Sequence, residues 1–297
     1  MKISVVINTL NEEKNIRRAI KSVESLADEI VVVDMKSDDD TAVIAGRMGA
    51  RVYEHERTGY VEPARNYAIS KAGGEWIFLL DADEEVPGSL AAEVKRVVKE
   101  DKYDYFRVPR RNYIFGSWVR HSGWWPDYNI RLFKKGTVVW SEIIHSVPET
   151  RGEGMDLEAR EEYAILHHHY ETIEQYVERL NRYTGVMAAG KKKEGYSFSW
   201  KDLIAAPSRE FFARYFANRG YRDGLHGLAL AGLQAFSEFV LYLKIWQMEK
   251  FEKVVVQPTR VVDEFRKVGR EMAYWNADLK VSSGEGLVEK LRRKLRV

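Results

Sequence analysis

Two aspartates one residue apart, directly after an apolar run, are the residues of this chain best placed for chemistry. Residues 76–80 are all apolar, which is typical of a short strand buried on both faces, and Asp81 and Asp83 follow where that strand would leave the sheet. Ligands of open α/β sheets bind at the carboxyl ends of strands. Because Mg²⁺ sites combine one or two carboxylates with substrate phosphates, the pair indicates a divalent ion held beside a hydroxyl-rich ligand. The alternative is an acidic turn that caps a helix beginning near Pro87.

The segments before this pair alternate between strand and helix patterns. Strands are predicted at residues 3–7, 29–33 and 51–53, and helices at residues 13–25, 41–48 and 62–71. This alternation predicts an α/β fold with a mostly parallel, Rossmann-like sheet and right-handed crossovers.

Polar side chains collect where these strands end. They are Thr9, Asn11 and Glu12 after the first strand, Asp34 after the second, and Asp81 and Asp83 after the fourth. Neither a Gly-x-Gly-x-x-Gly turn nor a Gly-x-x-x-x-Gly-Lys-Ser/Thr loop follows the first strand. The layout therefore predicts a pocket for one nucleotide along a single edge of the sheet.

The pattern changes after residue 102. Residues 103–109 resemble a strand, 110–112 a turn, and 123–128 an aromatic loop; further strands are predicted at 129–134, 137–140 and 163–170. Beyond residue 171 the pattern is helical. We therefore predict a nucleotide-binding and acceptor domain over residues 1–170 and a helical region over residues 171–297.

Composition limits the classes of partner. The chain has 297 residues, a formal net charge of +2 and no cysteine, which excludes disulfides and thiolate ligands. Its near-balanced charge gives no general attraction to nucleic acid, so we expect no nucleic-acid partner. The long apolar stretch at residues 225–246 is interrupted by polar and charged residues, and we expect it not to cross a bilayer.

Four segments together resemble family 2 glycosyltransferases of the GT-A fold. They are SVVINTLNEE (residues 4–13), VVVD (31–34), ARNYA (64–68) and DADE (81–84), in matching order and spacing. Later segments are similar to the lipopolysaccharide-core β-glucosyltransferase subgroup: WPD (125–127), RLF (131–133), His145, HY (169–170), DG (223–224) and GL (227–228).

The resemblance implies inverting transfer from a nucleotide sugar, most simply UDP-glucose, to a glycan or lipid-linked acceptor. It implies Mg²⁺ or Mn²⁺ to neutralise the leaving diphosphate and a carboxylate that takes the acceptor proton. Carried over by position, the residues that would line the nucleoside pocket are Thr9, Asn11 and Glu12, and Asp34 would accept a hydrogen bond from the base. Arg65 and Arg131 would lie in the nucleotide-sugar site. Asp81 would lie near the ribose or sugar and beside the metal, and Asp83 would bind the metal. The alternatives are helix caps for Asp34 and Glu12 and a surface ion pair for Arg65.

Asp127 is our first choice for the general base and Glu142 the second. An aromatic setting would raise the pKa of Asp127 toward a useful value; alternatively, Asp127 pairs with Arg131. His145 and His169 are candidate metal or diphosphate contacts. Alternate strand residues face opposite ways, so of the run His167–His169 we expect His169 to reach the site, unless all three are simply hydrogen-bonded strand histidines.

Two C-terminal segments combine apolar and basic residues. Phe211, Phe212, Tyr215 and Phe216 form one predicted stripe within residues 209–222, and Leu287, Val288, Leu291 and Leu295 form another in the tail, edged by five basic residues. Such helices lie in bilayer interfaces, and we predict peripheral attachment to the cytoplasmic face of the membrane. The alternative is that both stripes pack on the rest of the protein.

Two other function classes share a nucleotide-binding sheet. Sugar-phosphate nucleotidyltransferases usually begin with a Gly-rich phosphate loop and a lysine, where this chain has residues 9–12, Thr-Leu-Asn-Glu. A non-catalytic, membrane-associated nucleotide-binding module would tolerate the loss of Asp83.

Overall fold

A computed structural model describes residues 1–57, 62–140 and 148–282, with the side chains of residues 62 and 63 excluded. The strands are β1 (Ile3–Thr9), β2 (Glu29–Asp34), β3 (Arg51–Glu54), β4 (Trp76–Asp81), β5 (Glu84–Glu85), β6 (Tyr105–Ile114), β7 (Ser117–Trp118), β8 (Asp127–Lys134), β9 (Val138–Val139), β10 (Glu149–Thr150), β11 (Gly154–Asp156) and β12 (Ile165–Tyr170). The α-helices are α1 (Ile16–Val23), α2 (Thr41–Arg47), α3 (Glu62–Lys71), α4 (Gly88–Glu100), α5 (Ile173–Lys193), α6 (Asp202–Phe212), α7 (Gly224–Met248) and α8 (Pro258–Ser282). Short 3₁₀ segments lie at Glu161–Tyr163 and Gly220–Asp223, and a π-helical turn at Ala213–Ala217.

The chain divides into two compact units. The first contains Met1–Trp118 and Trp124–His169, and the second contains Val119–Gly123 and Tyr170–Val297. The predicted boundary after residue 170 lies one residue from this division, whereas the assignment of residues 119–123 to the second unit was not predicted.

The first unit is built on one mixed sheet. Among the described residues its order is β3-β2-β1-β4-β8-β6-β12-β5, with β7 and β11 paired to β6. Strands β1 to β4 are parallel to one another, as the α/β prediction requires. All seven residues of β1 and the five apolar residues of β4 are buried, because apolar clusters cover both faces of this part of the sheet. The predicted fold class is confirmed.

Two local predictions for the antiparallel half of the sheet differ from the structure. The predicted turn at residues 110–112 is wrong, because β6 continues without interruption to Ile114. Asp127 is the first residue of β8 and pairs with Arg110 on β6, so it does not belong to the preceding aromatic loop. Polar residues are tolerated in this strand pair because they bind one another across it.

The second unit consists of helices. Helix α5 begins with a capping box in which Thr172 and Gln175 satisfy each other's backbone amides. The predicted amphipathic helix over residues 209–222 is wrong in form: α6 ends at Phe212 and is followed by the π-helical turn and the 3₁₀ segment. Its rings pack mainly against other rings; Phe212 is buried, and Phe216 stacks on Trp275 at 5.7 Å.

By length and composition, one helical stretch in the described ranges, Gly220–Met248, is long and apolar enough to cross a membrane. The core helix of a soluble protein meets the same criteria, so this finding alone is weak evidence of a span.

Candidate active site

The carboxyl end of β1 carries two buried polar side chains whose polar atoms have no partner among the described residues. Asn8 is 4% exposed and Thr9 is 2% exposed. Within the described part of the chain, neither the amide atoms of Asn8 nor the hydroxyl oxygen of Thr9 has a hydrogen-bond partner. Because buried polar groups are normally satisfied, these atoms are candidates for contacts with a bound ligand. The sequence had indicated Thr9 but not Asn8.

The loops that follow β1 and β2 are joined by hydrogen bonds. The Asn11 backbone amide donates to Ser37 Oγ at 2.8 Å, and Asn11 Oδ1 accepts from the Asp38 amide at 2.8 Å. Asp34 is 5% exposed and accepts from both the Ser37 amide (2.9 Å) and its hydroxyl (2.5 Å). Glu12 Oε2 accepts from Asn15 at 2.7 Å. The loops thus form one firm rim. Asp34 and Glu12 do not cap α1 or α2, whose N-cap residues are Asn15 and Asp40.

Asp81 lies between two arginines at the end of β4. Its Oδ1 is 3.1 Å from Arg65 Nη2, and its Oδ2 is 2.6 Å from Arg131 Nη2. Burial opposes ionisation of Asp81, but the Arg131 and Arg65 guanidiniums outweigh it and hold the pKa of Asp81 well below its usual range. Arg65 is therefore part of a largely enclosed ion pair, since its side chain is only 13% exposed.

Glu84, which was not among the predicted site residues, is the centre of this network. Its side chain is fully buried, and Oε1 is 2.6 Å from Arg131 Nη2 and 3.1 Å from Arg110 Nη1. Its Oε2 accepts from the Asp81 backbone amide at 2.9 Å. Arg131 is 2% exposed, and its Nε and Nη1 have no partner among the described residues. Two guanidinium nitrogens at a buried site therefore remain available for an anion.

Asp127 pairs with Arg110, not with Arg131 as the alternative had it. Its Oδ2 accepts from Arg110 Nη2 at 2.7 Å and from Asn112 Nδ2 at 3.1 Å, and its Oδ1 accepts from Asn129 Nδ2 at 3.1 Å. Burial opposes ionisation, but Arg110 and the Asn112 amide outweigh it and lower the pKa of Asp127 below its ordinary value. The expectation of a raised pKa is wrong because the charged neighbour outweighs the aromatic surroundings.

Two histidines of β12 lie near Asp83. His167 Nε2 is 3.5 Å from Asp83 Oδ2 and 3.2 Å from His169 Nδ1. His168 points to the other side and contacts Glu85 at 2.6 Å, as the alternation of strand side chains requires. The prediction named His169 but not His167, although the same alternation places both on one face.

Glu142 and His145 lie outside the described residues, as do all four apolar residues of the predicted tail stripe. Within the described ranges no group of three or more histidine, aspartate or glutamate side chains has an arrangement that would hold a metal by itself. Asp83 and His167 nevertheless place two donor atoms 3.5 Å apart, a separation compatible with neighbouring ligands of one cation whose other ligands come from substrate or water.

Known proteins similar to this chain are glycosyltransferases. Residues 4–149 match the family model described as glycosyl transferase family 2. An uncharacterized glycosyltransferase of Rickettsia typhi is 30% identical over 264 residues, which cover 86% of this chain and 90% of the relative. The lipopolysaccharide core biosynthesis glycosyltransferase LpsC of Rhizobium meliloti is 30% identical over 256 residues, or 82% of this chain and 92% of the relative.

Similarity to solved structures is more partial. Glucosyl-3-phosphoglycerate synthase from Mycobacterium tuberculosis, in complex with Mn²⁺ and UDP-glucose, is 24% identical over 39% of this chain and 44% of that chain, with a TM-score of 0.31; we draw nothing from so limited a match. The family match and the two long alignments are sufficient, and the chain belongs to glycosyl transferase family 2.

Proposed function

We propose that this transferase moves a hexose from a UDP-sugar, with UDP-glucose as the first candidate, to a hydroxyl of a glycan or lipid-linked acceptor, with inversion. The observation that carries the proposal is the set of cationic and ligating groups at the end of β4: Arg65, Arg131, Asp83 and His167. Family membership argues against the nucleotidyltransferase alternative. LpsC, a lipopolysaccharide core enzyme by name, supports a cell-envelope acceptor.

The residues present fit a divalent cation, Mg²⁺ or Mn²⁺. Asp83 Oδ2 and His167 Nε2 would hold it, with His169 3.2 Å from His167 and His145 as a further candidate outside the described residues. When bound, the cation supplies Lewis-acid neutralisation of the leaving diphosphate. We assign Asp81 to positioning and not to metal binding, because each of its oxygens already contacts a guanidinium.

The nucleotide is bound by the rim and the arginines. Thr9 and Asn8 present unpartnered polar atoms, and Asn11, Glu12 and Asp34 hold the loops that would flank a uracil nucleoside. Arg131 Nε and Nη1, which have no partner among the described residues, would donate hydrogen bonds to the diphosphate. Asp81 and Glu84 hold Arg131 in place, so that this guanidinium does not have to be ordered when substrate binds.

Asp127 is the proposed general base. Arg110 keeps it ionised, so it accepts the proton when the acceptor hydroxyl becomes acidic during attack on an oxocarbenium-like anomeric carbon. Asn112 and Asn129 fix its two oxygens. Glu142 remains the second candidate.

We expect Asp127→Asn to lower turnover roughly 10²–10⁴-fold with little change in UDP affinity, because it retains shape and removes the basic oxygen. The lowered pKa also has a pH consequence. Asp127 must be ionised to act, so kcat/KM should show no acid limb attributable to it between about pH 5 and 8. Steady-state kinetics across pH check both points. Unchanged turnover in Asp127→Asn together with an inactive Glu142→Gln would move the assignment to Glu142.

A donor screen tests the function itself. Each common nucleotide sugar is incubated with the full chain, with and without Mg²⁺ or Mn²⁺, and release of the nucleoside diphosphate is measured. Release from UDP-glucose that depends on metal supports the proposal. Release of pyrophosphate from sugar phosphate and UTP would identify a nucleotidyltransferase, and UDP binding without turnover of any donor would identify the non-catalytic module.

We further propose that the second unit attaches the enzyme to the cytoplasmic face of an anionic membrane through α7. Leu225 is 77% exposed, Leu228 43% and Phe236 48%, and these positions share one face of the helix. The two charged residues of α7 lie off this face: Glu238 is half-buried, and Lys244 bonds the Asn181 carbonyl of α5.

Charge complementarity selects the partner. Exposed basic residues flank α7 at both ends: Arg219 and Arg222 before it, and Lys250 and Lys253, with the exposed Glu252 between them, after it. Each would add about 1 kcal/mol of attraction near an anionic surface. The exposed Phe251 and Val255 in the loop after α7 extend the apolar surface. The tail stripe of residues 287–297 remains a second predicted contact.

We expect the protein to float with vesicles that contain phosphatidylglycerol, to bind less to neutral vesicles, and to dissociate as salt rises. Phe236→Asp should abolish flotation without lowering the melting temperature, because the side chain is half exposed. Val43→Asp, an equally exposed apolar position in the first unit, is the matched control. Deletion of residues 286–297 measures separately how much the tail contributes to vesicle binding. Failure to bind anionic vesicles at low salt would exclude the attachment, and concentration-dependent dimers lost in Phe236→Asp would show that the face covers a second copy.

A further inference from the structure

Asn112 is a buried amide in the middle of β6 that contacts His167 as well as the proposed base Asp127. It is fully buried, although asparagine is disfavoured within strands. A buried amide is retained at such a position without cost only when its hydrogen bonds are made. Asn112 makes three: Nδ2 donates to the Trp124 carbonyl at 3.1 Å and to Asp127 Oδ2 at 3.1 Å, and Oδ1 lies 2.6 Å from His167 Nδ1.

These contacts determine which way the amide faces. The Trp124 carbonyl and the ionised Asp127 can only accept, so the NH₂ group must be the one that faces them. Oδ1 therefore faces His167 and accepts, which requires the proton of the neutral imidazole to lie on Nδ1. The lone pair of Nε2 is then directed to the side where Asp83 Oδ2 lies at 3.5 Å and His169 Nδ1 at 3.2 Å.

Without this contact, the imidazole would have a different partner. A proton on Nε2 would let His167 donate to Asp83 Oδ2 or to His169 Nδ1, and either hydrogen bond would occupy the nitrogen that the proposed function gives to a divalent cation. The contact of one ring nitrogen determines the role of the other.

We propose that Asn112 is a positioning residue that directs His167 Nε2 toward the cation site of Asp83 and, through its NH₂ group, ties that site to the base Asp127. The inference rests on the proposed function. Asn112 itself touches neither substrate nor cation. Asn112 thereby joins the proposed base, Asp127, and the proposed cation ligand, His167, in one hydrogen-bonded network within the first unit.

The test compares Asn112→Ala with Asn129→Ala in the full chain. Both lose an amide bound to Asp127, but only Asn112 contacts His167. We expect Asn112→Ala to weaken Mn²⁺ binding, measured by electron paramagnetic resonance without nucleotide, roughly 10–100-fold. Two-bond ¹H–¹⁵N spectra of the metal-free protein at alkaline pH should show His167 changing from the Nδ1–H to the Nε2–H form, with its signals assigned by comparison with His167→Gln. Asn129→Ala should change neither observable.

Two further variants separate a specific effect from a general loss of structure. Asn112→Asp retains an acceptor for His167 Nδ1–H but replaces the donor to Asp127, so Mn²⁺ affinity and tautomer should be preserved while turnover falls. In a His167→Gln background, Asn112→Ala should cause no additional loss of Mn²⁺ affinity, because its effect passes through His167.

Unchanged Mn²⁺ affinity and an unchanged His167 tautomer in a folded Asn112→Ala variant would overturn the inference. So would an equal loss in Asn129→Ala, which would indicate only a loosened strand pair. Neither measurement uses a sugar donor. A failure of the proposed function would instead appear as an unsubstituted protein that turns over no nucleotide sugar, and the two failures are therefore distinguishable.

Discussion

Replacing Asp83 with alanine is expected to reduce kcat/KM by roughly a thousandfold or more, equivalent to about 4 kcal/mol of transition-state stabilisation. Asp83 follows β4, contacts His167 Nε2 at 3.5 Å and adds to the negative charge around Arg131. Its loss should remove a cation ligand, while Arg131 keeps its direct contacts with Asp81 and Glu84. Turnover of the donor identified by the screen and Mn²⁺ affinity should fall together, while the melting temperature changes little.

Asp156→Ala is the matched control. Asp156 also pairs its carboxylate with an arginine, Arg107, but this pair is largely exposed and includes none of the proposed site residues. It should leave turnover and Mn²⁺ affinity unchanged. Wild-type turnover by folded Asp83→Ala, or turnover by the unsubstituted protein that persists in chelator, would show that no cation acts through Asp83.

Glu84→Gln is expected to lower the free energy of unfolding by about 3–5 kcal/mol, which is the usual cost of breaking a buried ion pair from one side. Three carboxylates, Asp81, Glu84 and Asp127, balance three guanidiniums. The substitution leaves one positive charge uncompensated beside Arg131, which is 2% exposed. It also places an NH₂ group against another donor, either an arginine or the Asp81 backbone amide. That amide now donates to Glu84 Oε2.

The free energies of unfolding of Glu84→Gln and of a control variant, Glu93→Gln, are compared by denaturant unfolding. Glu93 also binds an arginine, Arg96, which is 54% exposed on the same helix, and its loss should cost about 0.5 kcal/mol or less. Similar small losses in both variants would mean that the buried network contributes little to stability. Restoring balance with Arg131→Met in the Glu84→Gln background should recover part of the loss if charge imbalance is its cause.

The amino-acid sequence by itself determined the parallel half of the fold and the strand ends that carry polar groups. Continuous apolar runs in β1 and β4 can only be satisfied by burial on both faces, and parallel strands bring their carboxyl ends to one edge. Thr9, Asp34, Asp81 and Asp83 could therefore be selected from local pattern alone. The family could likewise be identified from four short segments.

The partners of those groups were decided by tertiary structure. Strand periodicity gives the side on which a residue lies, but not the residue that a distant strand brings beside it. Arg131 reaches Asp81 across 50 positions of the sequence, and the register of β6 with β8 places Arg110 against Asp127. That contact lowers a pKa that the aromatic sequence context had suggested would rise.

The roles of Glu84, Asn112 and His167 depend on the same long-range registers. Strand β12 pairs His167 with Glu84 in antiparallel register, and β6 extends through Arg110 and Asn112, where the local sequence favoured a turn. In an isolated segment, each of these polar residues would be solvated and would favour a loop. Only the assembled sheet supplies their buried partners, and the hydrogen bonds and ion pairs made there decide both the course of the strand and the residues that share the site.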